Sequence, residues 1–377
     1  MADAKPASRR TDAETDRRFM AAALRLGRRN LGRTYPNPAV GAVIVKDGKV
    51  VGRGWTAEGG RPHAEVMALA EAGAAARGAT VYVTLEPCSH HGRTPPCADA
   101  LVEAGVARVV AAIADPDPRV AGEGLARLEA AGIDVTTGVL AAEAAVAHAG
   151  HISRVTRGRP WVTLKLAVSA DGMIGRREGE RMIISGREAF EAVQAMRIES
   201  DAVMIGIGTV LVDDPRLTVR LAGLAARSPA RIILDAEARL PPASHLVASA
   251  REVALIDVVT PGADEARKDA LRDAGVRVLE VEAGAGGVAL GKALEALAGE
   301  GFTRILVEGG SEVASSLVAD DLVDEVILFR ADVVVGPEGV RALGGYALSA
   351  IERSPRYRQV EAGMAGKDQM RRYLRAN

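Results

Sequence analysis

The sequence predicts an α/β protein of two units, each with substantial parallel sheet. Three observations carry that expectation. Short β-branched runs alternate with Ala-rich helical stretches along most of the chain. A length of 377 residues suits two or three domains, each large enough for its own core. A basic segment punctuated by Gly and Pro, Arg154-Val-Thr-Arg-Gly-Arg-Pro160, interrupts the alternation. The boundary is expected there, giving units at 14–153 and 160–377. Residues 1–13 are polar, lack the apolar core of a signal peptide, and are expected to be a disordered leader.

The elements follow in order. Val40–Val45 reads as a strand, Asp47-Gly48 as a tight hairpin turn, and Lys49–Trp55 as the returning strand. His63 and Glu65 open an Ala-rich helix running to about Ala75. Ala79–Thr84 is a buried strand, and Cys97 starts the next helix. Arg108–Ala114, a helix around Gly124–Ala131, Ile133–Thr137 and helical Ala141–Ala149 complete the first half. Trp161–Ala167 begins a new strand, and Asp201–Gly206, Ala230–Asp235, Glu252–Val258 and Thr303–Glu308 continue the pattern.

Charge is balanced, with 48 Lys plus Arg against 49 Asp plus Glu, so no basic excess points to nucleic acid. Aromatic residues are only 3%, which leaves few platforms for stacking unpaired bases. Both facts argue against a polynucleotide-editing protein. No apolar run is long enough to span a membrane, and a cytoplasmic location is expected.

The chemistry is concentrated in His63-Ala-Glu65, Pro87-Cys88 and Cys97. Cys88 and Cys97 are the only two cysteines and share one short loop. One imidazole and two thiolates form a three-ligand zinc set, one ion per chain, with a fourth position open to water; structural sites close all four. Glu65 has the type and place to move protons at that water. The order His-x-Glu, then Pro-Cys…Cys, is that of zinc deaminases, although eight residues separate the cysteines here instead of two. An isolated His or Cys is more often inert core, but ligand type, order and the flanking Pro are hard to assemble by chance. His90 and His91 are rival ligands whose place inside the loop suits substrate contact or solvation better. Asn37, between Pro36 and Pro38, is either a substrate-binding amide or an ordinary turn residue.

In the second half, Gly206-Ile-Gly-Thr209 follows a strand but lacks the third Gly of a dinucleotide fingerprint. Glu308-Gly-Gly-Ser311 sits between a strand and an apolar helix, where two glycines allow close backbone approach and the helix N-terminus can receive a phosphate. Alone, such a Gly-Gly is more often a plain turn.

From residue 14 to about 360 the chain resembles the bifunctional riboflavin-biosynthesis deaminase/reductase family. Thr34–Gly41, Pro62–Glu65 and the long block Thr84–Cys97 carry the likeness in the first half. Lys165–Gly172, Gly208–Pro215, Leu217–Arg220 and Val307–Gly310 carry it in the second. The resemblance implies a cytidine-deaminase-like three-layer α/β/α domain followed by a dihydrofolate-reductase-like α/β domain. It implies deamination of a diaminopyrimidinone ribosylamine phosphate, then NADPH-dependent reduction of its ribosyl chain. By the same resemblance, Ala167, Ile183, Thr209, Asp213 and the segment Gly310, Ser311, Glu312, Val313, Ala314, Ser315, Ser316 line the NADPH site. Asn37, Arg181, Arg197, Leu217, Arg220 and Glu308 hold the small-molecule pyrimidine ribosyl phosphate, Arg197 and Arg220 as guanidiniums suited to a phosphate. Lys165 is a further polar residue placed to face the ribose. A homodimer or homotetramer is also implied. Arg181 and Ile183 depart from the family, standing where many relatives carry a substrate-binding serine and an aromatic on the nicotinamide side. That departure motivates the alternative of a deaminase with a degenerate, structural C-terminal half.

Overall fold

The computed structural model describes residues 7–90, 95–118, 120–176 and 182–376, so His91 and Arg181 lie outside the described residues. The chain divides into two compact units, Met1–Gly158 and Arg159–Asn377.

The first unit runs α1 (Ala7–Gly27), β1 (Gly41–Lys46), β2 (Lys49–Trp55), α2 (Ala64–Ala72), β3 (Thr80–Val83), α3 (Cys97–Ala104), β4 (Arg108–Ala111), α4 (Glu123–Ala130), β5 (Asp134–Thr137), α5 (Ala141–Ala147) and α6 (Ala149–Arg157). Its sheet has the order β2-β1-β3-β4-β5. Strand β1 is antiparallel to β2 and β3, whereas β3, β4 and β5 are parallel. Alternation along the strands sorts side chains between two helical layers. Ala42, Ile44, Val81, Val83, Val109 and Ala111 pack with Ala64, Ala68, Leu101 and Leu128 of α2, α3 and α4. Val43, Val45, Tyr82, Val110 and Ala112 pack the other way, with Phe19, Met20 and Ala144 of α1 and α5. The result is three layers. Burial of Leu101 and Leu128, both at 0% exposure, contributes about 2–3 kcal/mol each by area removed from water.

Two glycines of β2 set where α2 lies. A Cβ at Gly52 would come within 2.2 Å of Ala68 O, and one at Gly54 within 1.9 Å of Ala64 O. With Ala64, Ala68 and Ala72 buried at helical spacing, the helix rests directly on the strand, which brings its N-terminus to the sheet edge.

Two expectations are corrected. Helix α1 starts at Ala7, inside the segment read as a disordered leader. The basic stretch Arg154–Arg157 is the last turn of α6, with the stop at Gly158 (φ 68°). Arginines suit a helix C-terminus, where the dipole is negative, and Gly supplies the left-handed residue that ends it. What reads as a linker is therefore helix up to its final glycine.

The second unit contains β6 (Trp161–Val168), β7 (Met173–Arg176), α7 (Arg187–Ile198), β8 (Ala202–Gly206), α8 (Ile207–Asp213), β9 (Ala230–Leu234), α9 (His245–Ala248), β10 (Leu255–Val259), α10 (Glu265–Asp273), β11 (Arg277–Glu280), the short pair β12 (Ala283–Gly284) and β13 (Gly287–Val288), α11 (Leu290–Gly299), β14 (Arg304–Val307), α12 (Ser311–Ala319), β15 (Glu325–Arg330), β16 (Gly339–Arg341), α13 (Ser349–Glu352), β17 (Tyr357–Ala365) and β18 (Asp368–Arg375). Its main sheet has the order β11-β10-β9-β8-β14-β6-β15-β18-β17. It is parallel from β11 to β15 and closes with the antiparallel hairpin β17–β18. The carboxyl ends of β6, β8 and β14 lie side by side, the place where open parallel sheets bind ligands.

Candidate active sites

In the first unit, His63 caps the N-terminus of α2, Cys97 is the first residue of α3, and Cys88 sits in the loop after β3. His63 Nδ1 lies 3.3 Å from Cys97 Sγ and 3.7 Å from Cys88 Sγ. All three ligand atoms fall within 4.8 Å of one another, the one such group among the described residues, and exposed His90 is outside it. A tetrahedral zinc with its usual bond lengths needs ligand atoms roughly 3.5–3.8 Å apart. The donor set and spacing fit. The Cys97 N–H donates to Cys88 Sγ at 3.3 Å. The Cys88 thiol is pushed down to about 4, chiefly by hydrogen bonding from Cys97 and then from His63. The Cys97 thiol is pushed up instead, first by its hydrogen bond to Cys88 and then by burial, so within the pair it is Cys97 that keeps the proton.

Glu65, in the first turn of α2, is 4% exposed. Burial pushes its carboxyl up to about 7 against the opposing charge of His63, and it hydrogen-bonds with Cys97. Asn37 Nδ2 donates to Gly60 O at 2.8 Å. That bond fixes which way the amide points, three residues upstream of the histidine ligand, and leaves Oδ1 as the acceptor end.

Sequence reading passed over Glu86. It is 3% exposed and accepts from the backbone N–H groups of Asp115, Gly122, Gly124 and Leu125. The available signal was an acidic residue three positions after an apolar strand and directly before Pro87-Cys88.

In the second unit the structure gathers most of the expected residues at the carboxyl ends of β8 and β14. A Cβ on Gly310 would sit 3.3 Å from Thr209 Oγ1, and one on Gly206 2.8 Å from Val313 Cγ2. Gly344, at φ 44°, would bring one to 3.0 Å from Ser315 Oγ and 3.2 Å from Ser311 Oγ. The glycines thus bring backbone close to the Thr209, Ser311 and Ser315 hydroxyls at the α12 N-terminus, a cradle suited to a dinucleotide phosphate. Ala167 at the end of β6 is half-buried, and Asp213 closes α8 on the exposed side. Glu312 and Ser316 point to solvent, while the Ala314 methyl is fully buried in the core and so packs instead of facing the cradle. Ile183 is 83% exposed.

Arg197 and Glu308 form a bidentate pair, Nε–Oε1 2.6 Å and Nη2–Oε2 2.9 Å, and Arg197 Nη1 also donates to Thr218 O at 2.7 Å. The guanidinium expected to hold phosphate is thus engaged with a buried carboxylate. Burial alone would raise Glu308, but Arg197, Lys165 and Arg220 outweigh it and hold the carboxyl below its ordinary value. Lys165 shares this group; burial, then Arg197, push its pKa down. Arg220 is exposed, stacks over Phe190 at 4.6 Å, and its N–H donates to Gln194 Oε1 at 2.7 Å. Leu217, buried at φ 54°, lies between these groups in sequence. Phe190 and Gln194 lie on α7, distant in sequence from Arg220, and their role in holding it was not legible beforehand.

Comparison with known proteins agrees with both halves. Residues 13–113 match the cytidine and deoxycytidylate deaminase zinc-binding region, and residues 160–369 match the RibD C-terminal domain. The riboflavin biosynthesis protein RibD of Aquifex aeolicus is 39% identical over 355 residues, covering 94% of this chain and 97% of that one. The chain belongs to the RibD family. Escherichia coli RibD is 40% identical over 366 residues, again across 94% of this chain and 97% of its own length. A solved Acinetobacter baumannii RibD superposes with TM-score 0.83 at 36% identity, covering 97% of this chain and all of that one (100%). A Thermotoga maritima structure named diaminohydroxyphosphoribosylaminopyrimidine deaminase/5-amino-6-(5-phosphoribosylamino)uracil reductase gives TM-score 0.83 at 33% identity, covering 97% of this chain and 100% of its own. The two units are accordingly the cytidine-deaminase-like and dihydrofolate-reductase-like domains of a RibD-family enzyme, bifunctional in riboflavin biosynthesis, with zinc in the first and NADPH in the second. Among the described residues, no helix is long and apolar enough to cross a membrane.

Proposed function

We propose that the first unit hydrolytically deaminates a diaminopyrimidinone ribosylamine 5′-phosphate and that the second reduces the ribosyl chain of the product to ribityl. The His63–Cys88–Cys97 triangle with buried Glu65 beside it carries the first half of that reading. Zinc at the triangle supplies a Lewis acid that makes water acidic near neutral pH. Glu65 takes one proton from water and delivers it to the ring nitrogen, then carries the second, from the hydroxyl now on carbon, to the departing amine, so that amidine and water become a carbonyl, a ring N–H and ammonia. A carboxyl near pH 7 suits both directions of transfer. Asn37 Oδ1 accepts from the pyrimidine amino group while Nδ2 stays on Gly60 O.

In the second unit NADPH supplies the hydride. The residues of the chain hold the reactants: Thr209, Gly310, Ser311 and Ser315 surround the cradle for the dinucleotide. Arg220 binds the substrate phosphate, and Arg197 serves chiefly to hold Glu308. Lys165 and Glu308 face the ribose, the ammonium polarising it. The cradle is intact in spite of Ile183, which argues against a merely structural C-terminal half.

We further propose a cytoplasmic homodimer or homotetramer. Cysteines kept as zinc ligands suit a reducing compartment, and the likeness to the bifunctional family supports self-association.

Glu65→Gln separates the two steps. Ammonia release should fall by about 10²–10⁴-fold, with zinc content unchanged and NADPH oxidation on already deaminated substrate retained. Normal ammonia release by this variant would remove Glu65 from the mechanism.

A further inference from the structure

We infer that Glu86 is a positioning residue of the deaminase centre, clamping the Cys88 loop onto the N-terminus of α4. The inference rests on His63, Cys88 and Cys97 being the zinc ligands.

Three neighbours of Cys88 grip the first turn of α4 or the loop leading into it. Two positions before it, Glu86 Oε1 accepts from the N–H groups of Gly124 (2.9 Å) and Leu125 (3.3 Å), and Oε2 from those of Asp115 (3.0 Å) and Gly122 (3.0 Å). One position before it, Pro87 O lies where a Gly124 side chain would stand, 2.0 Å from an added Cβ. One position after it, Ser89 Oγ donates to Glu123 Oε2 at 3.4 Å. The far side is anchored as well. Asp115 Oδ1 accepts from Asp117 N–H at 2.9 Å and lies 2.9 Å from His151 Nε2 on α6, and Glu86 N–H donates to Ile113 O at 3.0 Å.

A carboxylate is the side chain this place requires. Both oxygens each receive two backbone donors, and the negative charge lies at a helix N-terminus, where it is favoured. An amide would turn an NH₂ toward two N–H groups and leave those donors unmatched. The Pro87–Cys88 peptide would then be free to move away from Gly124, carrying Cys88 Sγ with it. Groups that orient a metal ligand in this way tune affinity and ligand field without touching the ion.

Glu86→Gln in the full chain tests this, with cobalt(II) in place of zinc as the probe. The expected result is an altered cobalt ligand-field and thiolate charge-transfer spectrum and about 10- to 100-fold faster metal loss to a chelator. Deaminase kcat at saturating zinc should fall while KM stays within about twofold, with the reductase rate unchanged. A wild-type cobalt spectrum with wild-type kcat, whatever the loss in Tm, would overturn the inference and leave Glu86 a stabilising residue only. If the Gln variant's first unit does not fold, Glu86→Asp, which keeps both oxygens on a shorter arm, is judged by the same spectrum and kcat. Wild-type protein that fails to take up one cobalt per chain would instead refute the ligand assignment, and the inference with it.

Discussion

Single residues divide here into those whose chemistry is visible in the chain and those whose meaning depends on a distant partner. His63, Glu65, Cys88 and Cys97 are of the first kind: their type and order mark a candidate zinc set in the sequence, and the structure brings the three donor atoms within 4.8 Å of one another. Arg197 and Arg220 are of the second. In the sequence both read as phosphate ligands, but Arg197 is bound in a fork to Glu308, 7% and 10% exposed, whereas Arg220 stands outward on Phe190. Their variants should behave differently. Arg220→Ala should raise KM for the phosphorylated substrate by roughly 10-fold or more with kcat little changed, as loss of uniform binding does. Arg197→Met should strip buried Glu308 of its hydrogen-bonded partner and leave only the nearby charges of Lys165 and Arg220 to offset it, lowering stability by up to about 3–5 kcal/mol. Steady-state kinetics and denaturant titration check the two. If Arg220→Ala lowers kcat alone, the phosphate assignment is wrong. Ile183 belongs with them: it is an aliphatic side chain 83% exposed, and Ile183→Trp, which supplies an aromatic face, should lower KM for NADPH in steady-state kinetics.

Elements were legible wherever their alternation was clean. Strands β1, β3 and β4 show buried positions of both parities because helices cover both faces, and their apolar runs announce that directly. The hairpin β17–β18 was not seen. Its strand Asp368–Arg375 reads as charged, since Arg371, Arg372 and Arg375 find Glu352, Glu325 and Asp321 only once folded. A second hidden feature lies at β9 and β10, beside the edge strand β11 of the parallel sheet. Asp257 in β10 and Asp235 just after β9 are both 0% exposed, and among the described residues Asp257 Oδ1 and Oδ2 and Asp235 Oδ1 have no hydrogen-bond partner. Burial, reinforced by the Asp235 charge, pushes Asp257 from 3.8 up to about 8. The folded state therefore holds a proton that the unfolded chain has released. The stabilisation is complete below the unfolded value of 3.8 and is lost as pH rises through about 8. Asp257→Asn should flatten this dependence and raise the Tm of the second unit at about pH 8.5 by roughly 2–4 °C for each kcal/mol recovered. Calorimetry across pH would show it, and parallel wild-type and variant Tm profiles would contradict it.

At the scale of the whole molecule, two chemistries occupy two compact units divided at Gly158. Composition places a boundary in the basic stretch punctuated by Gly and Pro, but that stretch belongs to a helix up to Gly158, because arginines serve a helix end as well as they serve a loop. Separate units predict separable losses. Stripping zinc with a chelator should abolish deamination while NADPH-dependent reduction of already deaminated substrate continues, measured as absorbance loss of the reduced cofactor. The central claim, one chain performing both steps, is tested most directly by the mass of the product after zinc-loaded protein is incubated with the diaminopyrimidinone ribosylamine phosphate and NADPH. A product that is deaminated and also carries the added hydrogens is the predicted result. A product that is only deaminated would contradict the account of the second unit, and unchanged substrate would contradict the assigned substrate itself.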